Sequence, residues 1–227
     1  MFNKYSWVID MPDIVGIIFL LLTGLAALAY GYFLLKNYFE EKKLYHLYWA
    51  ISFLVLFVSG VLIIIFDWDV LGAKLVPAVA ALIPACLAIG LFYAVWEDKK
   101  YGFYYSLYAF FMIIVLGIYT LVGDDKLTPF LVMSIHIPSG LVIVLVPIYT
   151  AMQGITENSS IYFSIGGILI SFGGMLLALV KVVSPDEDVM GFINIDFIYT
   201  VLPVLLLLVA GFFILGIIYP TKWKIKY

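Results

Sequence analysis

The chain contains no arginine; all twelve of its basic residues are lysine. Functions that rest on a bidentate guanidinium fork, such as arginine clamps on phosphate, have no residue to carry them. The net charge is −3 and the only basic stretch is Lys222-Trp223-Lys224-Ile225-Lys226, so the electrostatic footprint of nucleic-acid binding is missing as well. The single cysteine, Cys86, sits in an apolar run and excludes an intrachain disulfide and any thiolate-held zinc or iron–sulfur cluster. Two histidines, His46 and His136, cannot supply the three protein ligands of a hydrolytic zinc centre. They lie near opposite membrane faces, which also excludes a bis-histidine haem within one chain. No lysine lies between Asp196 and Pro220, so a retinal Schiff base in the last apolar stretch is excluded. No metal and no cofactor is implied.

Charge of either sign is scarce, at 12% of residues against about 25% in a soluble domain. What fills the chain instead is apolar, at 65% of its 227 residues. A helix needs about 20 apolar residues to cross the hydrocarbon layer. Seven such stretches occur, at approximately 14–35, 45–66, 75–96, 102–122, 129–152, 161–183 and 195–219. Polar clusters separate them, among them Asp67-Trp68-Asp69, Glu97-Asp98-Lys99-Lys100 and Ser184-Pro185-Asp186-Glu187-Asp188. Open strands cannot lie in lipid, and barrel strands would be short and alternate polar with apolar. The pattern predicts an all-α, polytopic membrane protein, with residues 1–227 forming a single bundle of seven transmembrane helices and the bilayer as its first partner. The first stretch is too long for a cleaved signal peptide and is followed by Lys36 to Lys43, so it is expected to stay in the mature protein.

Eight of the twelve lysines fall on one side of this arrangement, which places the N-terminus outside and the C-terminus in the cytoplasm of a multi-pass cell-membrane protein. Ten of the fifteen acids fall on the other side, including Asp67, Asp69, Asp124, Asp125, Asp186, Glu187, Asp188 and Asp196. Loops poor in lysine would carry such acids for solvation alone. A vestibule that concentrates cations is the sharper reading. No loop carries the spaced carboxylates and glycine of a dedicated calcium loop.

His136 is the most informative single residue. It lies about 10 Å below the outer end of the fifth span, in Ser134-Ile135-His136-Ile137-Pro138-Ser139-Gly140. Polar groups at that depth face the bundle interior or water. Ser139, Asn194, Asp196 and Tyr199 share its half of the membrane and complete a candidate ligand-binding set. A buried histidine bonded to a neighbouring hydroxyl or to a carbonyl freed by proline would look the same in sequence. Prolines also interrupt the third span (Pro77, Pro84) and the seventh (Pro203), and Pro147 interrupts the fifth again; each removes a backbone hydrogen bond. A Ser139–His136–Asp196 triad can be written down but lacks a nucleophile elbow and an oxyanion hole, and no catalytic residue is assigned.

Tyr101, Tyr104, Tyr105 and Tyr108 recur at helical spacing at the start of the fourth span, as an interfacial belt or as the wall of a site for a flat apolar ligand. In the sixth span Gly166, Gly167, Gly173 and Gly174 repeat after seven residues and describe a smooth face for close helix packing, inside the bundle or across a homodimer. Together these features predict a non-enzymatic membrane protein that binds or transports a small molecule or ion through a pocket in the outer half of the bundle. The second reading is an accessory subunit or ligand sensor within a larger membrane complex.

Overall fold

The computed structural model describes residues 14–96, 98–122, 125–180 and 195–219, with positions 125, 177–180, 195 and 196 described by their backbone only. Seven α-helices make up most of these residues: α1 (Ile14–Glu41), α2 (Leu44–Phe66), α3 (Val76–Val95), α4 (Lys99–Val122), α5 (Thr128–Met152), α6 (Ile161–Val180) and α7 (Ile195–Ile218). All seven are long and apolar enough to cross a membrane, as the hydropathy pattern predicts.

Two helices run further than hydropathy alone suggests. At 28 residues, α1 is about 42 Å long and carries Lys36, Glu40 and Glu41 on its last turns, beyond the apolar stretch. In α4 the first turn includes Lys99 and Lys100, because Asp98 accepts a hydrogen bond from the Lys100 amide at 3.0 Å and starts the helix as a cap. The Lys100 side chain, 2.6 Å away, and that amide together hold the Asp98 carboxyl below the usual carboxylate range. Pro77 does not interrupt the third span as expected: it falls in the first turn of α3, where no helical hydrogen bond is lost, and only Pro84 interrupts that helix.

Neighbours in space follow a closed circuit from α1 through α2, α3, α5, α6 and α7 back to α1, and α4 stands outside it against α3 and α5. The helix most enclosed is α3, with 67% of its span buried against 22% for α4 and α5. Its small residues explain this, since Ala78, Ala81, Ala85, Ala88 and Ala94 are buried and let neighbouring backbones come close. A second small cluster, including Ile89 of α3, Leu116 of α4 and Ile135 of α5, holds α4 to the circuit.

Three aromatic residues pack together toward the end of the bundle that holds the α5–α6 connection, each in close contact with a glycine of another helix. A Cβ on Gly90 of α3 would lie 2.2 Å from Nε1 of Trp49 in α2; one on Gly166 of α6 would lie 2.8 Å from Phe213 in α7; one on Gly216 of α7 would lie 2.5 Å from the backbone nitrogen of Phe163 in α6. The rings continue into one another, with centroids 5.8 Å apart for Trp49–Phe163 and 4.9 Å for Phe163–Phe213. Trp49 also donates its indole N–H to the Leu87 carbonyl at 3.2 Å. Beside this plug lies a void of about 10 Å³ between Ser52, Ile83, Leu87, Ile170 and Phe213, about the volume that one water centre occupies.

The α5–α6 connection is closed by local chemistry. Gly154 adopts φ +66°, and the amides of Gly154 and Ile155 return to the carbonyls of Ala151 and Thr150 at 2.9 Å each, the paired pattern that ends a helix at a left-handed glycine. Thr150 and Ser160 both donate to the Pro147 carbonyl, and Thr156 donates to the Thr150 hydroxyl at 3.0 Å with the Ser160 hydroxyl 2.9 Å away.

Candidate functional site

The polar segment of α5 is built around Pro138. Proline has no amide hydrogen, so the Ser134 carbonyl loses its helical partner. Tyr108 of α4 replaces it by donating its hydroxyl to Ser134 O at 2.5 Å. One turn away, Ser139 donates to Ile135 O at 2.7 Å, and its oxygen lies 2.8 Å from the Tyr105 hydroxyl. Because the Ser139 proton is committed to Ile135 O, Tyr105 is the donor of that second bond. Ser134 in turn donates to Leu131 O at 2.7 Å.

Two tyrosines of the row on α4 therefore act differently from the other two. Tyr101 and Tyr104 remain exposed, as an interfacial belt requires, while Tyr105 and Tyr108 reach across to α5. Their role was not visible in the tyrosine spacing, because it depends on which helix lies beside α4. A broken helix with an adjacent tyrosine row is the signal that could have pointed to it.

Replacing Tyr108 by Phe leaves Ser134 O without a donor in a low-dielectric setting and is expected to lower stability by about 1 kcal/mol. Pro138→Ala restores an amide for that carbonyl, so the cost of Tyr108→Phe should shrink toward zero in the Pro138→Ala background. A double-mutant cycle on the denaturation midpoint in detergent checks this coupling; equal costs in both backgrounds would refute it.

His136 is half-buried, and its Nδ1 lies 3.0 Å from Val132 O on its own helix. A carbonyl only accepts, so Nδ1 carries the hydrogen, and when the ring is neutral Nε2 presents a lone pair. Ser139 is fully buried and engaged as above. Tyr199 lies on α7, where its ring stacks on Trp68 of the α2–α3 connection with centroids 4.8 Å apart and planes within 4°. Asn194 and the side chain of Asp196 fall outside the described residues. The structure thus joins Ser139 to α4 and Tyr199 to the α2–α3 connection.

The glycines of α6 do not form one face. Gly166 and Gly173 receive Phe213 and Leu205 of α7, Gly167 receives Ile143 of α5, and among the described residues a Cβ on Gly174 would meet nothing within 4 Å. The reason is angular: neighbouring residues on a helix are about 100° apart, so each seven-residue repeat marks its own stripe. Of the two roles read for these glycines, packing inside the bundle or across a homodimer, three of the four positions take the first.

The other histidine, His46, is buried at the start of α2, with its ring 4.3 Å from that of Tyr45. Among the described residues no group of three or more His, Cys, Asp or Glu side chains is placed to hold a metal ion. Of the acidic loops, Asp67 uses a carboxylate oxygen to accept the Trp68 amide at 2.7 Å, while Asp124, Asp186, Glu187 and Asp188 fall outside the described residues. Compared with known protein families, curated proteins and solved structures, the chain matches none.

Proposed function

We propose that this membrane protein binds a small molecule within the half of the bundle that holds His136, and that the molecule does not pass through the centre. The observation that carries the reading is the state of His136, an intramembrane ring with one nitrogen tied to its own helix and the other offering a lone pair. The seating of Trp49, Phe163 and Phe213 on glycines supports binding over passage, since the centre holds a void of about 10 Å³. The lysine distribution supports an orientation with the N-terminus outside and the C-terminus in the cytoplasm, which puts His136 in the outer half.

The test is native mass spectrometry of the full chain purified from its own membranes in mild detergent. A co-purifying small molecule is expected on the wild-type protein and on Ser159→Ala, and should be lost from His136→Leu at unchanged helicity. Equal retention by His136→Leu would remove His136 from the site. In sealed vesicles an impermeant maleimide should label Asp69→Cys from outside and Asn158→Cys only after permeabilisation; native Cys86 is fully buried and stays silent.

A second reading, an accessory or sensor subunit, is supported by α4, which lies outside the circuit and leaves Phe103, Leu107, Phe111, Ile114 and Ile118 exposed. Co-purification of a stoichiometric membrane partner that is lost when these residues are changed would favour it.

A further inference from the structure

The spacing between α5 and α6 changes along their length. Near the α5–α6 connection the two are in tight contact: a Cβ on Gly167 would lie 2.5 Å from Ile143 and 3.1 Å from Val144, and Ser164 donates to Val144 O at 2.8 Å. One turn further out the contact is ordinary, with a Cβ on Gly140 at 3.7 Å from the Ser171 hydroxyl. Another turn out no such contact is present among the described residues. Gly174 lies seven residues from Gly167 and so on nearly the same stripe of α6, is exposed, and among the described residues a Cβ there would meet nothing within 4 Å.

The residue of α5 at that level follows from the register. The pairs Ile143–Gly167 and Gly140–Ser171 run antiparallel, so the next turn sets His136 opposite Gly174. His136 is also seven residues from Ile143 and shares its stripe. By this register the half-buried ring of His136 borders the open space at Gly174, with Gly140 and Ser171 one turn further in. Phe172 and Met175 of α6 are exposed beside it, and Ser171 is tied to Gly167 O at 2.8 Å.

We propose that this gap is a lateral binding crevice, open to the bilayer between α5 and α6, for a slender amphiphile with a hydroxyl head, the hydroxyl donating to Nε2 of His136 and the apolar body lying over Gly174. The proposal rests on the reading of His136 as the polar contact of a ligand site and adds the location and the ligand class. A neutral imidazole whose Nδ1 is a committed donor selects a donor head. The glycine wall selects a body thin or flat enough to lie against a backbone without side chains. A molecule dissolved in the membrane would reach the crevice without crossing the plug of Trp49, Phe163 and Phe213.

The test uses 4-decylphenol and its methyl ether as probes on the full chain, with adducts counted by native mass spectrometry. The phenol is expected to give a one-to-one adduct about tenfold tighter than the ether, the equivalent of one hydrogen bond of about 1.4 kcal/mol. Gly174→Leu should remove the phenol adduct without lowering the thermal midpoint, because the added side chain enters open space. His136→Leu should reduce phenol binding to the level of the ether. Equal binding of phenol and ether overturns the ligand class, and unchanged phenol binding by a folded Gly174→Leu overturns the crevice. Either failure, with the co-purifying molecule still lost from His136→Leu, leaves the His136 reading standing; retention of that molecule by His136→Leu ends both.

Discussion

Gly90→Ala is expected to lower the stability of the bundle by about 3 kcal/mol, read as a drop in denaturation midpoint in detergent. The added methyl would lie 2.2 Å from Nε1 and 2.3 Å from Cδ1 of Trp49, so the indole cannot stay where it is. Trp49 is 1% exposed and packed against Phe163 and Tyr45, so moving its ring displaces those neighbours. Moving it also breaks the bond to Leu87 O, worth of order 1 kcal/mol in a membrane interior. Because the clash is with a side chain, removing that side chain should relieve it. In a Trp49→Leu background Gly90→Ala should become nearly neutral, giving a coupling close to the whole cost of the single change. If the two costs simply add, Gly90 is small for some reason other than the indole.

The contact behind that result also marks the limit of what the sequence shows. The seven helices were legible because each is a long apolar run ended by charge, and this signal is local. That Trp49 of α2 rests on Gly90 of α3 is not local, and nothing in either segment names the other. The same applies to α6. Its repeated glycines announced close packing, but only the positions of Phe213, Leu205 and Ile143 show which stripe meets which helix. Boundaries slipped where polar residues extend a helix, as Asp98 does by capping α4.

The candidate site shows the same division. His136, Pro138 and Ser139 stood out because polar residues and a break in one membrane helix are rare. What they bond to depends on the neighbour. Tyr105 and Tyr108 resemble belt residues until α4 is placed beside α5, whereupon Tyr108 completes the carbonyl that Pro138 leaves open. The proline break is therefore closed from α4, and the open side of α5 is the other one, toward Gly174. The expectation that joined Tyr199 to His136 used depth alone; Tyr199 stacks on Trp68 at the end of the bundle, a pairing that depth cannot predict.

Gly216→Ala is expected to exceed the effect of Gly90→Ala, with a loss above about 3 kcal/mol and no rescue by truncating a neighbour. A Cβ at Gly216 would lie 2.5 Å from the nitrogen and 2.8 Å from the Cα of Phe163, so the obstacle is the backbone of α6 itself. Phe163→Ala keeps those atoms and cannot relieve the contact. The two helices must separate, and with them the seats of Phe163 on Gly216 and of Phe213 on Gly166. The control is Gly211→Ala on the same helix: among the described residues a Cβ there meets nothing within 4 Å, and its midpoint should stay within about 0.5 kcal/mol of wild type. The comparison tests more than packing. If α6 is held at one end by the backbone contact at Gly216, separating it from α7 there should also disturb its approach to α5 at Gly167, and so the crevice beside His136. Gly216→Ala should then lose the 4-decylphenol adduct that Gly211→Ala keeps. Equal stability of the two variants would mean that the close approach of α6 and α7 relaxes without cost.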